Sequence, residues 1–255
     1  MDAAEKGIGG MNKKADQEGF IAVYPLGTKG LNQSEKVNLH YWNAGRLIEL
    51  DVFNYSVNDI DFISVMLDSI EEDFAVDPKR IYATGISNGA WMSYALACRL
   101  SDRIAAIAPV AGGLVTEDCI PTQPVSIIHF HGKQDPGWPY YGGEGCWTDS
   151  YRPPIQDTIS TWLELNSCDP KGTISFQNEE TTCENYICGR STELTFCAIE
   201  DGGHTFPGGY QSFLLTLVPW DEDCSLGDGR GTGKVSQSIS ALDQMWTFFQ
   251  NHPKE

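Results

Sequence analysis

Three side chains have the types and settings that nucleophilic catalysis needs: Ser87, Asp135 and His204. A serine hydroxyl is a poor nucleophile near neutral pH, so it requires a general base within hydrogen-bond reach and an acid that orients that base. Ser87 sits in Gly85-Ile86-Ser87-Asn88-Gly89, between the short β-prone run Ile81–Thr84 and a helix-forming run from Ala90 onward. The G-x-S-x-G spacing between a strand and a helix describes a nucleophile elbow, with the hydroxyl at the apex of a turn whose glycines admit close strand–helix approach. The helix N-terminus then points its dipole and free N–H groups at the charge that develops on an attacked carbonyl oxygen. The N–H of Asn88 is one such oxyanion donor.

The base and the acid follow from position. Of the five histidines, His40 precedes the serine, His129 lies inside a strand, His131 precedes any suitable acid, and His252 is close to the terminus. His204 alone follows a strand late in the chain, in the glycine-rich loop Asp201–Gly209. Asp135 follows the apolar run Val125–Phe130 and precedes Pro136. The resulting order of serine, acid, histidine is that of an α/β hydrolase. Asp118, Asp149 and Asp157 read as surface, loop or helix-start residues.

These residues need a scaffold that delivers them to one edge. Helical periodicity is expected at Met11–Glu18, at Asn58–Phe74 through Ile60, Ile63, Leu67, Ile70 and Phe74, at Ile155–Leu165 and at Val235–Gln250. Strands are expected at Phe20–Tyr24, Ile81–Thr84, Ile104–Val110, Val125–Phe130 and Leu194–Ile199. Gly27–Asn38 reads as a polar loop. Strands alternating with helices imply a mostly parallel sheet covered on both faces, which binds ligands beyond the carboxyl ends of its strands. Ser87, Asp135 and His204 all belong at such ends.

The 255 residues suffice for one large α/β domain over 1–255. A formal net charge of −18 disfavours nucleic acid and anionic membrane surfaces as partners, and no apolar run reaches membrane-spanning length. Eight cysteines without a C-x-x-C pair favour disulfides and an oxidising, extracellular compartment over a metal site. The opening residues carry no signal-peptide core, so export would require a leader outside this sequence. Asn32-Gln33-Ser34 and Asn54-Tyr55-Ser56 match the N-glycosylation pattern. Asp221-Glu222-Asp223-Cys224 with Asp228 matches no calcium loop and reads as a solvated acidic stretch. No cofactor is implied.

GISNGAWM, IAAIAPVAG, HGKQDP followed by WPY, and GGHTFPGG resemble, in order, the secreted feruloyl and acetylxylan esterases and polyhydroxybutyrate depolymerase-like esterases, which have the α/β-hydrolase fold. The likeness runs from about Gly10 to the C-terminus. It implies that Ser87, Asp135 and His204 form the triad. It also implies disulfides joining Cys98 to Cys119 and Cys168 to Cys188, with Cys146, Cys183, Cys197 and Cys224 unassigned. In that family a strand ending in a His-Gly loop supplies a second oxyanion N–H and precedes the equivalent of Gly10–Tyr24. That strand is expected to be absent here, leaving a sheet edge open to self-association and the second donor to Gly7–Gly10 or to an upstream segment.

The expected activity is hydrolysis of feruloyl or acetyl esters of plant cell-wall polysaccharide through an acyl-enzyme. The substrate is an ester-bearing polysaccharide or a small aromatic ester, bound by aromatic walls drawn from Trp91, Trp138, Tyr140, Tyr141 and Trp147. Two alternatives share the sequence: an esterase resembling polyhydroxybutyrate depolymerases, and a carbohydrate-binding relative weakened by the missing oxyanion donor.

Overall fold

The computed structural model describes residues 10–31, 39–48, 50–51, 53–146, 150–210 and 232–254. In chain order its elements are α1 (Met11–Glu18), β1 (Thr28–Lys29), β2 (His40–Tyr41), α2 (Asp59–Asp73), β3 (Tyr82–Ile86), α3 (Asn88–Arg99), β4 (Ala106–Val110), β5 (Ser126–Gly132), β6 (Gly143–Glu144), β7 (Tyr151–Arg152), α4 (Ile155–Leu165), β8 (Thr173–Gln177), β9 (Thr181–Ile187), β10 (Glu193–Ile199) and α5 (Ala241–Asn251). The principal sheet has the order β3-β4-β5-β10-β9-β8. β3, β4, β5 and β10 run parallel, and the β8–β9 hairpin adds antiparallel strands beyond β10.

Alternation along the central strands sorts their side chains into two cores. Ile107 and Ile127 join the cluster formed with Ile63, Trp91, Tyr94, Ile159 and Trp162 from α2, α3 and α4. Ala106, Ala108, Val110, Ile128 and Phe130 join the opposite cluster, with Met11 of α1 and Leu242, Met245 and Phe249 of α5. Because both faces are covered, β4 and β5 are buried at every residue, and apart from His129 and His131 of β5 their sequences are apolar or small rather than alternating. The result is a three-layer mostly parallel α/β architecture.

Capping explains the helix limits. The side chain of Asn58 accepts from Asp61 N–H at 3.2 Å and starts α2. Ser240 is extended and its Oγ accepts from Asp243 N–H at 3.3 Å, so α5 begins at Ala241 rather than at the expected Val235. Ile239 is still buried in the same core without being helical. The expected strand Phe20–Tyr24 is corrected in the same way. The segment contributes Phe20, which stacks on Trp246 at 4.2 Å, but it enters no ladder, because among the described residues β3 pairs with β4 alone. The β8–β9 hairpin was not expected; its residues alternate weakly and β8 is largely exposed.

Among the described residues three disulfides join Cys98 to Cys119, Cys168 to Cys188, and Cys183 to Cys197. The last crosses β9 and β10 at directly opposed positions, and Cys146 is disulfide-bonded as well. Trp147, Asp149, Asn32–Ser34, Gly7–Gly9 and the acidic stretch with Cys224 and Asp228 lie outside the described residues.

Candidate active site

Parallel pairing of β3, β4, β5 and β10 puts their carboxyl ends on one edge, with Ser87 following β3, Asp135 following β5 and His204 following β10. Each is delivered by local backbone structure. Ser87 has φ 58° and ψ −120°, a conformation rare for a residue with a side chain, and strain of this kind costs of order 1–3 kcal/mol. Three hydrogen bonds hold it there: its N–H donates to Val110 O at 3.0 Å, and its carbonyl accepts from the N–H groups of Ala90 and Trp91 at 2.9 and 3.1 Å. The close approach depends on Gly85, where a Cβ would lie 2.6 Å from the backbone carbon of Gly89. A Cβ on Gly89 itself would meet nothing, so the two glycines of the motif are not equivalent.

Asn88 occupies the first position of α3, where a backbone N–H has no acceptor within the helix. Its side chain has a separate task that the sequence did not signal. Oδ1 accepts from Trp42 N–H at 2.7 Å and Nδ2 donates to Trp42 O at 3.0 Å, clamping the segment after β2 onto the elbow.

The acid and the histidine are brought together by backbone contact. A Cβ at Gly132, the last residue of β5, would stand 2.1 Å from Gly202 O. Across this contact Gln134 N–H donates to Gly202 O at 2.9 Å and Lys133 N–H to Ile199 O at 2.8 Å. His204 N–H donates to Thr232 O and Gly203 N–H to Lys234 O, tying the loop to residues 232–234. The Asp135 side chain is fully buried. Its Oδ1 accepts from the N–H groups of Gly137 and Trp138, both at 2.8 Å, and the carboxylate faces His204 Nδ1 at 2.9 and 3.0 Å. This pairing assigns the Nδ1 proton to His204 and leaves Nε2 as the basic nitrogen. Among the described residues no hydrogen bond joins Ser87 Oγ to His204.

The aromatic residues divide. Trp91 and Trp138 are 5% and 1% exposed, pack edge to face at 5.8 Å and lie beneath Arg152. They are core residues under the site and offer no open wall. Tyr140 is half-buried, Tyr141 is 75% exposed, and their rings meet at 4.9 Å. Lys133 projects over Tyr140 at 5.7 Å and pairs with Glu200 at the same rim. Of the remaining histidines, His40 Nδ1 meets Gly27 O and His252 Nδ1 meets Phe248 O. His129 and His131 are buried within β5.

The chain has relatives among known proteins. Feruloyl esterase B of Piromyces equi is 32% identical over 206 residues, covering 75% of this chain and 35% of that protein. This chain is similar in sequence to feruloyl and acetylxylan esterases. A probable feruloyl esterase C of Aspergillus niger is 27% identical, covering 66% of this chain and 58% of its own length. The bifunctional acetylxylan esterase/xylanase XynS20E of Neocallimastix patriciarum is 29% identical, with 58% and 20% covered. The chain therefore spans between a fifth and three fifths of these curated relatives. No family model matches it. Among solved structures, the acetyl xylan esterase from Aspergillus awamori superposes with a TM-score of 0.51 at 17% identity over 76% of each chain, a likeness of α/β-hydrolase fold.

Proposed function

We propose that this chain is a serine carboxylic ester hydrolase acting on feruloyl or acetyl esters of plant cell-wall polysaccharide. The observation that carries the reading is the buried Asp135–His204 pair, on the same sheet edge as a strained serine at a helix N-terminus. Ser87 Oγ attacks the ester carbonyl as His204 Nε2 takes its proton. Asp135 holds the ring by its Nδ1–H and stabilises the imidazolium without taking the proton itself. The tetrahedral oxyanion lies against Asn88 N–H, with the dipole of α3 favouring its charge. His204 returns the proton to the leaving sugar alkoxide, and a water deprotonated by the same nitrogen releases the ferulate or acetate from Ser87.

The names of the relatives favour these esters over a hydroxyalkanoate polymer, and exposed Tyr141 with Tyr140 gives the rim an aromatic surface suited to a cinnamoyl ring. Disulfides support an extracellular setting. The whole chain acts as one catalytic domain, and the side of β3 away from β4 is the edge through which copies self-associate.

Labelling with a fluorophosphonate probe, followed by release of ferulate from feruloylated arabinoxylan and of acetate from acetylated xylan, tests the reading. Wild-type protein is expected to label and turn over while Ser87→Ala does neither; equal turnover by Ser87→Ala would overturn it. Solution mass as a function of concentration tests the association.

A further inference from the structure

Beneath the acid lies a chain of buried polar contacts that the reaction described above does not use. Tyr94 Oη meets His129 Nδ1 at 2.7 Å, His129 Nε2 meets His131 Nδ1 at 3.2 Å, and His131 Nε2 meets Trp138 O at 2.8 Å. All three side chains are at most 1% exposed. The last nitrogen also lies 3.5 Å from Asp135 Oδ2. The chain begins on α3, the helix that follows Ser87, crosses the acid strand β5, and ends at the turn holding Asp135.

Proton positions along this chain follow from its far end. The carbonyl of Trp138 can only accept, so His131 Nε2 carries a proton. Burial holds both imidazoles below their ordinary range, more strongly at His129, where the neighbouring His131 adds to the effect. Neutral His131 therefore presents a lone pair at Nδ1 and must accept from His129 Nε2–H. Neutral His129 in turn accepts at Nδ1, and Tyr94 donates its hydroxyl proton. One carbonyl thus fixes three hydrogens. The reversed tautomer of His131 would set a lone pair against the Trp138 carbonyl and the Asp135 carboxylate.

We propose that Tyr94, His129 and His131 are positioning residues that fix the acid turn relative to the nucleophile helix through this single run of proton donors. His131 acts on the acid at two points. Its Nε2–H anchors Trp138 O, whose own N–H donates to Asp135 Oδ1, and it directs positive dipole toward Asp135 Oδ2. The orientation of His204 then depends on a tyrosine one turn and a half into α3. The consequence for turnover rests on the esterase reading, whereas the proton pattern does not.

The test combines ¹⁵N-histidine NMR with kinetics on the full chain. In the wild type, His129 and His131 are expected to be protonated at Nε2 alone, and His204 to show a hydrogen-bonded Nδ1–H resonance far downfield. Tyr94→Phe keeps the ring but leaves His129 Nδ1 without a donor. It is expected to shift the His131 nitrogens and the His204 proton and to lower kcat about tenfold with KM nearly unchanged, since the loss falls on an unsatisfied buried acceptor. His131→Gln, which can both accept and donate, should retain more of the His204 signal and of kcat than His131→Leu. Nδ1 protonation of His131 in the wild type, or unchanged His131 and His204 resonances in Tyr94→Phe, would overturn the proposal. A wild-type protein with the expected resonances and no ester turnover would instead refute the esterase reading and leave the proton chain standing.

Discussion

Ser87 is held by backbone geometry, with a positive φ, a strand and helix in van der Waals contact at Gly85, and no side-chain hydrogen bond to its hydroxyl among the described residues. Asp135 and His204 are held the other way, by side-chain hydrogen bonds sunk into the core and by a loop laced to residues 232–234. Each half is therefore vulnerable in a different place. The nucleophile half tolerates changes of polarity but not an added methyl at the point of contact. The acid–base half tolerates no loss of a charge or proton, because buried groups left without partners cost their full desolvation.

The largest expected effect breaks the acid–base half alone. In the proposed esterase Asp135→Asn should lower kcat by about 10⁴-fold while the fold persists, since the amide cannot hold the same tautomer and stabilise an imidazolium. Steady-state rates beside circular dichroism check this, and a rate within about tenfold of wild type would dissolve the contrast.

Next is the staple behind the histidine strand. Replacing Cys183 and Cys197 together with alanine, which opens a loop with a sequence separation of 14, should cost about 3 kcal/mol of stability in denaturant titration. Since β9 flanks β10 and not β3, any loss of activity should trace to His204 and leave fluorophosphonate labelling of Ser87 slowed rather than abolished.

Acid should also act on one half selectively. His129 and His131 are kept neutral chiefly by burial, with folded values below the ordinary 6.5, so the unfolded chain takes up protons there before the native one does. Their contribution is complete above about pH 6.5 and is lost as pH falls below it, at up to about 2.7 kcal/mol per pH unit for two protons. Urea midpoints measured from pH 7.5 to pH 5 should show this slope, and His129→Gln should reduce it by about half.

The smallest effect sharpens the nucleophile half. Gly85→Ala should cost about 1–3 kcal/mol through backbone collision, whereas Gly89→Ala, with open space at its Cβ, should change stability by less than about 1 kcal/mol. Thermal denaturation of the pair separates them; equal losses would mean that the elbow is not set by the contact at Gly85.

Much of this was readable from residue order. The elbow, the long amphipathic helix α2 and the late loop bearing His204 each carry a strong local signal of glycine spacing or apolar period. The parallel sheet followed from those elements, and so did a shared edge for Ser87, Asp135 and His204. What escaped has physical reasons. Phe20–Tyr24 has strand composition, but pairing is a property of neighbours. β8 is so exposed that alternation hardly marks it. Trp91 and Trp138 look the same in sequence whether they face a cleft or the core, and their burial is decided by Arg152, Gly112 and Gly113 packing around them. The tyrosine–histidine chain needed residues 35 positions apart in sequence to meet.

Sequence separation also bears on how the molecule assembles. Three disulfides among the described residues close loops with separations of 21, 20 and 14, so the chain entropy lost in forming those three is small. The Asp135–His204 contact spans 69 positions and depends on β5 finding β10 across the intervening helix and hairpin. Those three bonds can therefore form while the sheet is still incomplete, and the edge bearing Asp135 and His204 is among the last features to form. Slow steps of refolding should fall on the pairing of β5 with β10, and recovery of His204 order, rather than closure of those three disulfides, is the signal that the native state has been reached.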